Sequence, residues 1–356
     1  MNNIPWKAWI CLEKSPGKIM HGYCTESVLV LLAIMDVDMF SRHSENGSDG
    51  FITMESFVDL CKALFLPGDL LKQELTETVF KQYNTKQDGR MTEDEFKSCW
   101  KTWIYPVLHP KTALLVVDVQ NDFISGTLAL KNTPSGQDGA EVVPVINKIL
   151  DDWKFDLVAY SQDWHPYDHI SFIDNVMLRK THPSSKIAAQ EAAVYDEIVF
   201  ATEPPTVQTL WPAHCLQNSE GAKIHPNLKI FPGHILTRKG THPEYDSYSS
   251  FFNNLGTMHT ELNAILRQHH ITDVFICGLA FDYCVKYTAL DARKLGFGTI
   301  VIEDACRSIS DEGYRTTREE LHQQECLITS SEQLNLYLDR DVRHPDLAFR
   351  DISSSF

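Results

Sequence analysis

Cys284 stands where an apolar run, Val274 to Cys277, has broken at Gly278 and a helical pattern begins. A thiol at such a turn lies near helix N–H groups, whose partial positive charge lowers its pKa and favours the nucleophilic thiolate. The ordinary fate of a cysteine is burial as a small apolar residue. Two further groups argue for chemistry here. Asp118 ends the apolar run Leu115-Val116-Val117, where a carboxylate is costly unless paired or functional. Lys239 ends the strand pattern His234 to Arg238, where it could pair with Asp118 and stabilise the Cys284 thiolate. Asp122 has a weaker claim, since it can cap a turn locally.

A second group has the makings of a metal site. Asp163 and His165 are two apart in an extended turn, His169 follows four residues later, and His214 lies in Trp211-Pro212-Ala213-His214-Cys215. An Asp/His/His set with open positions suits Zn²⁺ or a similar divalent ion in a catalytic role. On spacing alone the signal is weak, and three unrelated turn residues would look the same. Cys215 is set aside as a ligand, because neighbours in extended chain face opposite ways. No His-Glu-x-x-His occurs, so zinc-protease chemistry has no support.

The elements that must position these groups alternate. Strands are expected at Ala113 to Asp118, Leu157 to Gln162, His234 to Arg238, Val274 to Gly278 and Thr299 to Glu303. Helices are expected at Val142 to Trp153, Met258 to Gln268 and Cys284 to Lys294. Alternation of this kind predicts an α/β fold: a parallel sheet with helices on both faces, open at its carboxyl edge for a ligand. The uncharged runs Ala113 to Val117 and Val274 to Cys277 belong at its centre. Ser171 to Ile230 reads as mostly irregular and should carry site loops. The stretch Lys101 to Lys111, with Pro106 and Pro110, reads as a linker.

Composition bounds the partners. The 356 residues include 48 acidic and 32 basic side chains, a net charge of -16. Nucleic acid and anionic membranes both need a basic face, so neither is expected as a partner. Nine cysteines, scattered and odd in number, suit reduced thiols in the cytosol or nucleus. Met1 to Lys18 lacks the apolar core of a signal peptide, and the apolar run Val28 to Met35 is too short to span a membrane. A soluble intracellular protein is expected; assembly into a homo-oligomer stays open.

Taken together, Val-Asp118-Val-Gln-Asn-Asp-Phe, Asp163-Trp-His-Pro-Tyr-Asp-His-Ile-Ser-Phe, Trp211-Pro-Ala-His-Cys, Lys239 and Gly278-Leu-Ala-Phe-Asp-Tyr-Cys-Val resemble the isochorismatase-like cysteine hydrolases. Within them the full set, metal motif included, is similar to the nicotinamidases. The likeness runs in order from about Ala113 to about Cys326. It implies a six-stranded parallel sheet between helices, with an Asp118-Lys239-Cys284 triad at its edge. It implies that Cys284 attacks the carboxamide of nicotinamide, with a cis peptide at Leu279-Ala280 aiming the N–H groups of Ala280 and Cys284 at the oxyanion. It also implies metal ligation by Asp163, His165 and His214, with His169 an extra ligand or a supporting group. Phe123 and Trp211 would sandwich the pyridine ring. Open alternatives are an amidase acting on another small amide, and a non-catalytic Ca²⁺-responsive binding protein that reuses the fold.

The first hundred residues follow another pattern. Two helix–loop–helix stretches in tandem resemble an EF-hand pair. The expected division is therefore a small all-α EF-hand-like domain at 1–105, a hydrolase domain at 106–345 and a loosely ordered tail at 346–356. The calcium ligands are incomplete. With Gly89 at loop position 6, Asn84, Asp88, the Arg90 carbonyl and Glu95 take ligand positions, but Lys86 puts a cation at position 3. With Gly50 at position 6, Ser56 replaces the closing carboxylate. Calcium is expected to bind weakly at the second loop, if at all, and not at the first.

Overall fold

The computed structural model describes residues 39–44, 50–65, 73–338 and 343–348. The apolar run Val28 to Met35 and residues 45–49 of the first loop lie outside the described residues. The chain divides into two compact units: the part up to Pro110 together with Asn335 onward, and Lys111 to Leu334.

In the first unit, β1 (Ile52–Thr53) leads into α1 (Met54–Leu64), followed by α2 (Gln73–Tyr83), β2 (Arg90–Met91) and α3 (Glu93–Cys99). Thr53 caps α1 by accepting from Ser56 N, and Thr92 with Glu95 forms a reciprocal capping box on α3. The apolar faces of these helices bury Phe57, Leu60, Phe80, Phe96 and Trp100 in one core.

Three expectations need correction here. The unit is not all-α, because β1 pairs antiparallel with β2. The expected linker is largely helical: a π turn at Trp100–Ile104 runs into a short helix at Tyr105–Leu108. Pro106 is tolerated because it lies in that helix's first turn, where its missing N–H costs little. The expected boundary between hydrolase and tail is also displaced. The chain changes unit at Asn335, and Pro345–Ala348 is helical, with Trp103 Nε1 donating to Ala348 O at 3.1 Å.

The calcium reading fares no better. Glu95, the expected closing ligand, accepts from Thr85 N and Oγ1 on one oxygen and from Thr92 N and Oγ1 on the other. Burial would raise its pKa, but these donors hold the carboxyl down to about 2. Asp88 Oδ1 accepts from Arg90 N at 2.9 Å. The loop's carboxylates thus satisfy its own backbone, and neither calcium nor an EF-hand identity is supported.

The second unit holds a six-stranded parallel sheet in the order β10-β9-β8-β3-β4-β7. Its strands are β3 (Thr112–Val117), β4 (Leu157–Asp163), β7 (Ile235–Lys239), β8 (Asp273–Leu279), β9 (Gly298–Arg307) and β10 (Leu327–Thr329). Every residue of β3, β4 and β8 is buried, which is why those runs carry so few charges. From β3 the chain passes through α4 (Val142–Asp152) to β4 on one side. From β8 it passes through α6 (Lys286–Lys294) to β9 on the other, after α5 (Leu262–Gln268). Right-handed crossovers running in opposite directions place their helices on opposite faces. The reversal at β3 opens a crevice at the carboxyl ends of the strands. Each crossover helix buries an apolar stripe; in α4 it is Val142, Val143, Ile146 and Ile149.

Some elements were not expected. α7 (Asp311–Gln323) and β10 complete the sheet's far edge, and β5 (Glu197–Phe200) with β6 (Thr206–Thr209) forms a hairpin in the stretch read as irregular. Gly278 is required by the central pairing. Its φ is 117°, and a Cβ there would lie 2.0 Å from Val117 O on β3.

Candidate active site

The sheet's carboxyl edge gathers the expected residues. β3 delivers Asp118 immediately past its last residue, in the left-handed region at φ 48°. β4 ends on Asp163 and β7 on Lys239, and these two are register partners. Beyond β8 and a cis Leu279-Ala280 peptide, the π turn Phe281–Val285 presents Cys284. Gln120 ties two strand ends together: its Oε1 accepts from Asp163 N, and its Nε2 donates to Asp163 O, both at 2.9 Å.

Lys239 is the hub. Its Nζ is 2.9 Å from Asp118 Oδ2 and 3.2 Å from Cys284 Sγ, and it donates to Asp163 Oδ1 and Ser247 O. Asp118, Asp163 and Cys284 each place one atom within 4.8 Å of the others. All four side chains are buried. Burial would lower the lysine pKa, but the two carboxylates raise it well above its ordinary value, so the ammonium is kept. Burial raises the Asp118 carboxyl; Lys239 opposes this and Asp163 adds to it, leaving a net rise.

The thiol departs from expectation. Burial, reinforced by Asp118 and Asp163 and opposed by Lys239, pushes Cys284 well above the ordinary thiol value. The expected lowering by helix N–H groups loses to desolvation and two neighbouring anions. A thiol raised in this way favours its neutral form.

The metal set also converges. Asp163 Oδ2 lies 3.5 Å from His165 Nε2 and 3.8 Å from His214 Nε2. The second ring nitrogens face backbone carbonyls, His165 Nδ1 toward Gly240 O at 2.9 Å and His214 Nδ1 toward Pro212 O at 2.7 Å. A nitrogen facing a carbonyl must carry the proton, so in the neutral rings both Nε2 atoms present lone pairs toward a carboxylate oxygen. Three buried acceptors aimed at one point fit a divalent cation there. Burial, then the neighbouring His165, lowers the His214 pKa to about 4, which keeps it unprotonated. His169 stands apart from that point: it groups with His165 and Asp246, and its Nδ1 lies 2.7 Å from Ser171 Oγ.

A pocket opens onto Cys284 and onto the Asp163, His165 and His214 set. Phe123, Trp211, Ala280 and Cys284 line it, as do Asp163, His165 and His214. Phe123 lies 5.4 Å, ring to ring, from His214, and Trp211 meets the edge of Tyr283 at 4.8 Å. Sequence reasoning missed Leu128, Asp246, Tyr248, Tyr283 and Ile309 in this lining. Tyr283 could have been found from its place beside Cys284. Asp246 and Tyr248 sit in a loop with no periodic signal.

Residues 112–333 match the family model described as an isochorismatase domain, more than half of the chain. The chain belongs to the isochorismatase family. Within the family it is 39% identical over 205 residues to the nicotinamidase of Escherichia coli, spanning 56% of this chain and 85% of that one. The solved nicotinamidase pyrazinamidase of Acinetobacter baumanii superposes with a TM-score of 0.54 at 36% identity, covering 64% of this chain and 99% of that one. The yeast nicotinamidase bound to the inhibitor nicotinaldehyde superposes with a TM-score of 0.53 at 29% identity, covering 62% and 99%. The family match coincides with the second unit, which carries every residue of the candidate site. No helix among the described residues is long and apolar enough to cross a membrane.

Proposed function

We propose that this chain is a nicotinamidase, an amidohydrolase that converts nicotinamide and water to nicotinate and ammonia in NAD salvage. One observation carries the reading of the site: the Lys239 ammonium touches Asp118, Cys284 and the metal-set residue Asp163 at once, beside a pocket lined by aromatic rings.

The chemistry follows from those positions. Cys284 Sγ attacks the carboxamide carbon as Asp118 takes its proton. The N–H groups of Ala280 and Cys284 stabilise the developing oxyanion. Asp118 passes the proton to the amide nitrogen as the C–N bond breaks, releasing ammonia and leaving a thioester. Water, deprotonated by Asp118, then attacks the thioester carbon, freeing nicotinate and restoring the thiol. Lys239 holds Asp118 and Asp163 side by side and offsets their charge whenever both are ionised. Asp163, His165 and His214 would hold a divalent ion such as zinc, which when bound supplies a Lewis-acidic anchor for the pyridine nitrogen. Phe123 and Trp211 stack on the two faces of the ring.

The described cysteines are all free thiols, which supports a reducing compartment, the cytosol or nucleus. Ammonia release from the purified, zinc-loaded protein tests the substrate. Nicotinamide should be turned over faster than a panel of aliphatic amides and ureido compounds; preference for any of these would point to another amidase of the family.

A further inference from the structure

We propose that Ser161 is a positioning residue that turns Asp118 so that a single carboxylate oxygen faces Cys284, an inference that rests on reading Asp118 as the base. Ser161 Oγ donates to Asp118 Oδ1 at 2.7 Å, and both residues are buried. A strand serine usually satisfies itself on a nearby carbonyl or in water. This one reaches across the β3–β4 pair to the carboxylate that follows β3.

The strand's two-residue period makes this possible. Tyr160 and Gln162 bond to the carbonyls of Lys229 and Ala222, whereas Ser161 shares its face with Asp163.

The consequence lies in the other oxygen. Lys239 has three N–H groups, and they align on Asp163 Oδ1, Ser247 O and Cys284 Sγ. Asp118 Oδ2 lies 2.9 Å from the same ammonium as an ion pair, beside those three partners. With Oδ1 occupied by the serine hydroxyl, Oδ2 is the carboxylate atom with a lone pair open to the thiol proton. Without the hydroxyl, Oδ1 is left buried and unbonded, and the carboxylate loses the contact that fixes its plane. The pool of correctly oriented base then shrinks. Ser161 does not line the pocket, so substrate binding should be indifferent to it.

The test compares Ser161→Ala, Ser161→Thr and Asp118→Asn in the full-length, zinc-loaded protein, with kcat, KM, metal content and thermal melting measured for each. Ser161→Ala should lower kcat about tenfold to a hundredfold, with KM within about twofold and metal content unchanged. Ser161→Thr keeps the hydroxyl and should recover most of the loss. If its extra methyl unfolds the strand, the split between kcat and KM in Ser161→Ala decides alone. Turnover by Ser161→Ala within about twofold of the parent would overturn the role of Ser161. So would a loss confined to KM or accompanied by metal loss, or a folded threonine variant as slow as alanine. An active Asp118→Asn would remove the reading of Asp118 itself; an inactive one beside an unaffected Ser161→Ala removes only the role of Ser161.

Discussion

Lys239 Nζ lies 3.2 Å from Cys284 Sγ while also donating to Asp163, so one buried ammonium joins that thiol to the Asp163, His165 and His214 cluster. Each expectation below follows from that shared contact or from the elements that create it.

Replacing the nucleophile is the plainest test. Among the described residues Cys284 is the only thiol that lines the pocket, and Cys284→Ala should lower nicotinamide hydrolysis more than about a thousandfold. Serine or alanine fills little more or less space than cysteine, so melting temperature and metal content should hold. Residual turnover near the parent rate would remove Cys284 from the mechanism.

Lys239→Met should harm the fold as well as the reaction. It leaves Asp118 and Asp163 buried side by side with no cation between them. Breaking a buried pair in this way costs about 3–5 kcal/mol, and here two anions lose their partner. Urea unfolding measures the loss; stability equal to the parent would mean that the carboxylates are not ionised in the folded protein.

His214→Ala should cut zinc occupancy and raise KM for nicotinamide more than it lowers kcat, because the ion is assigned to anchoring the ring. Elemental analysis and kinetics on one preparation suffice. Unchanged zinc would rule His214 out as a ligand.

Acid should weaken the metal-free protein. An unfolded histidine takes a proton near pH 6.5, but burial and His165 hold folded His214 unprotonated down to about pH 4. Between those values the unfolded chain binds more protons. The contribution of His214 is therefore complete above about pH 6.5 and is lost as pH falls toward 4. His169, lowered by burial and its neighbouring histidines, acts in the same direction. His165 opposes them: burial lowers its pKa but Asp163 raises it further, so its contribution is present below pH 6.5 and lost on the alkaline side. Melting temperature should therefore fall more from pH 7 to pH 5 in the parent than in His214→Ala, which lacks this titration. Equal changes in the two proteins would contradict the burial of a neutral ring at His214.

Gly278→Ala should be poorly tolerated, since its Cβ would meet Val117 O at 2.0 Å on a left-handed backbone. The two central strands must part to admit it. A loss of several kcal/mol, with activity falling in step, would appear in paired denaturation and kinetic measurements; near-parental stability would show that β3 and β8 can shift.

Much of the site was legible before any coordinates. Buried parallel strands announce themselves as uncharged apolar runs, and a charged residue closing such a run marks the edge where ligands bind. Asp118 was read that way, Lys239 from its place after the His234 to Arg238 strand, Asp163 from its spacing to His165, and Cys284 from the break at Gly278. The calcium reading came from loop spacing alone. It gains no support from the fold, where Glu95 and Asp88 accept from Thr85, Thr92 and Arg90, contacts that spacing does not reveal.

What the order of residues determined by itself was therefore the inventory: strand ends, side-chain types and the family likeness. What tertiary structure alone decided was how those groups share protons and space. The Cys284 thiol is raised rather than lowered because folding buries it and brings Asp118 and Asp163 beside it from strands far away in sequence. Ser161 gains its partner only when β4 pairs with β3, and the pocket wall of Asp246, Tyr248 and Ile309 exists only once loops without periodicity have folded over the sheet. Periodicity is local, whereas desolvation and charge act over a few ångströms between residues that the chain itself keeps far apart.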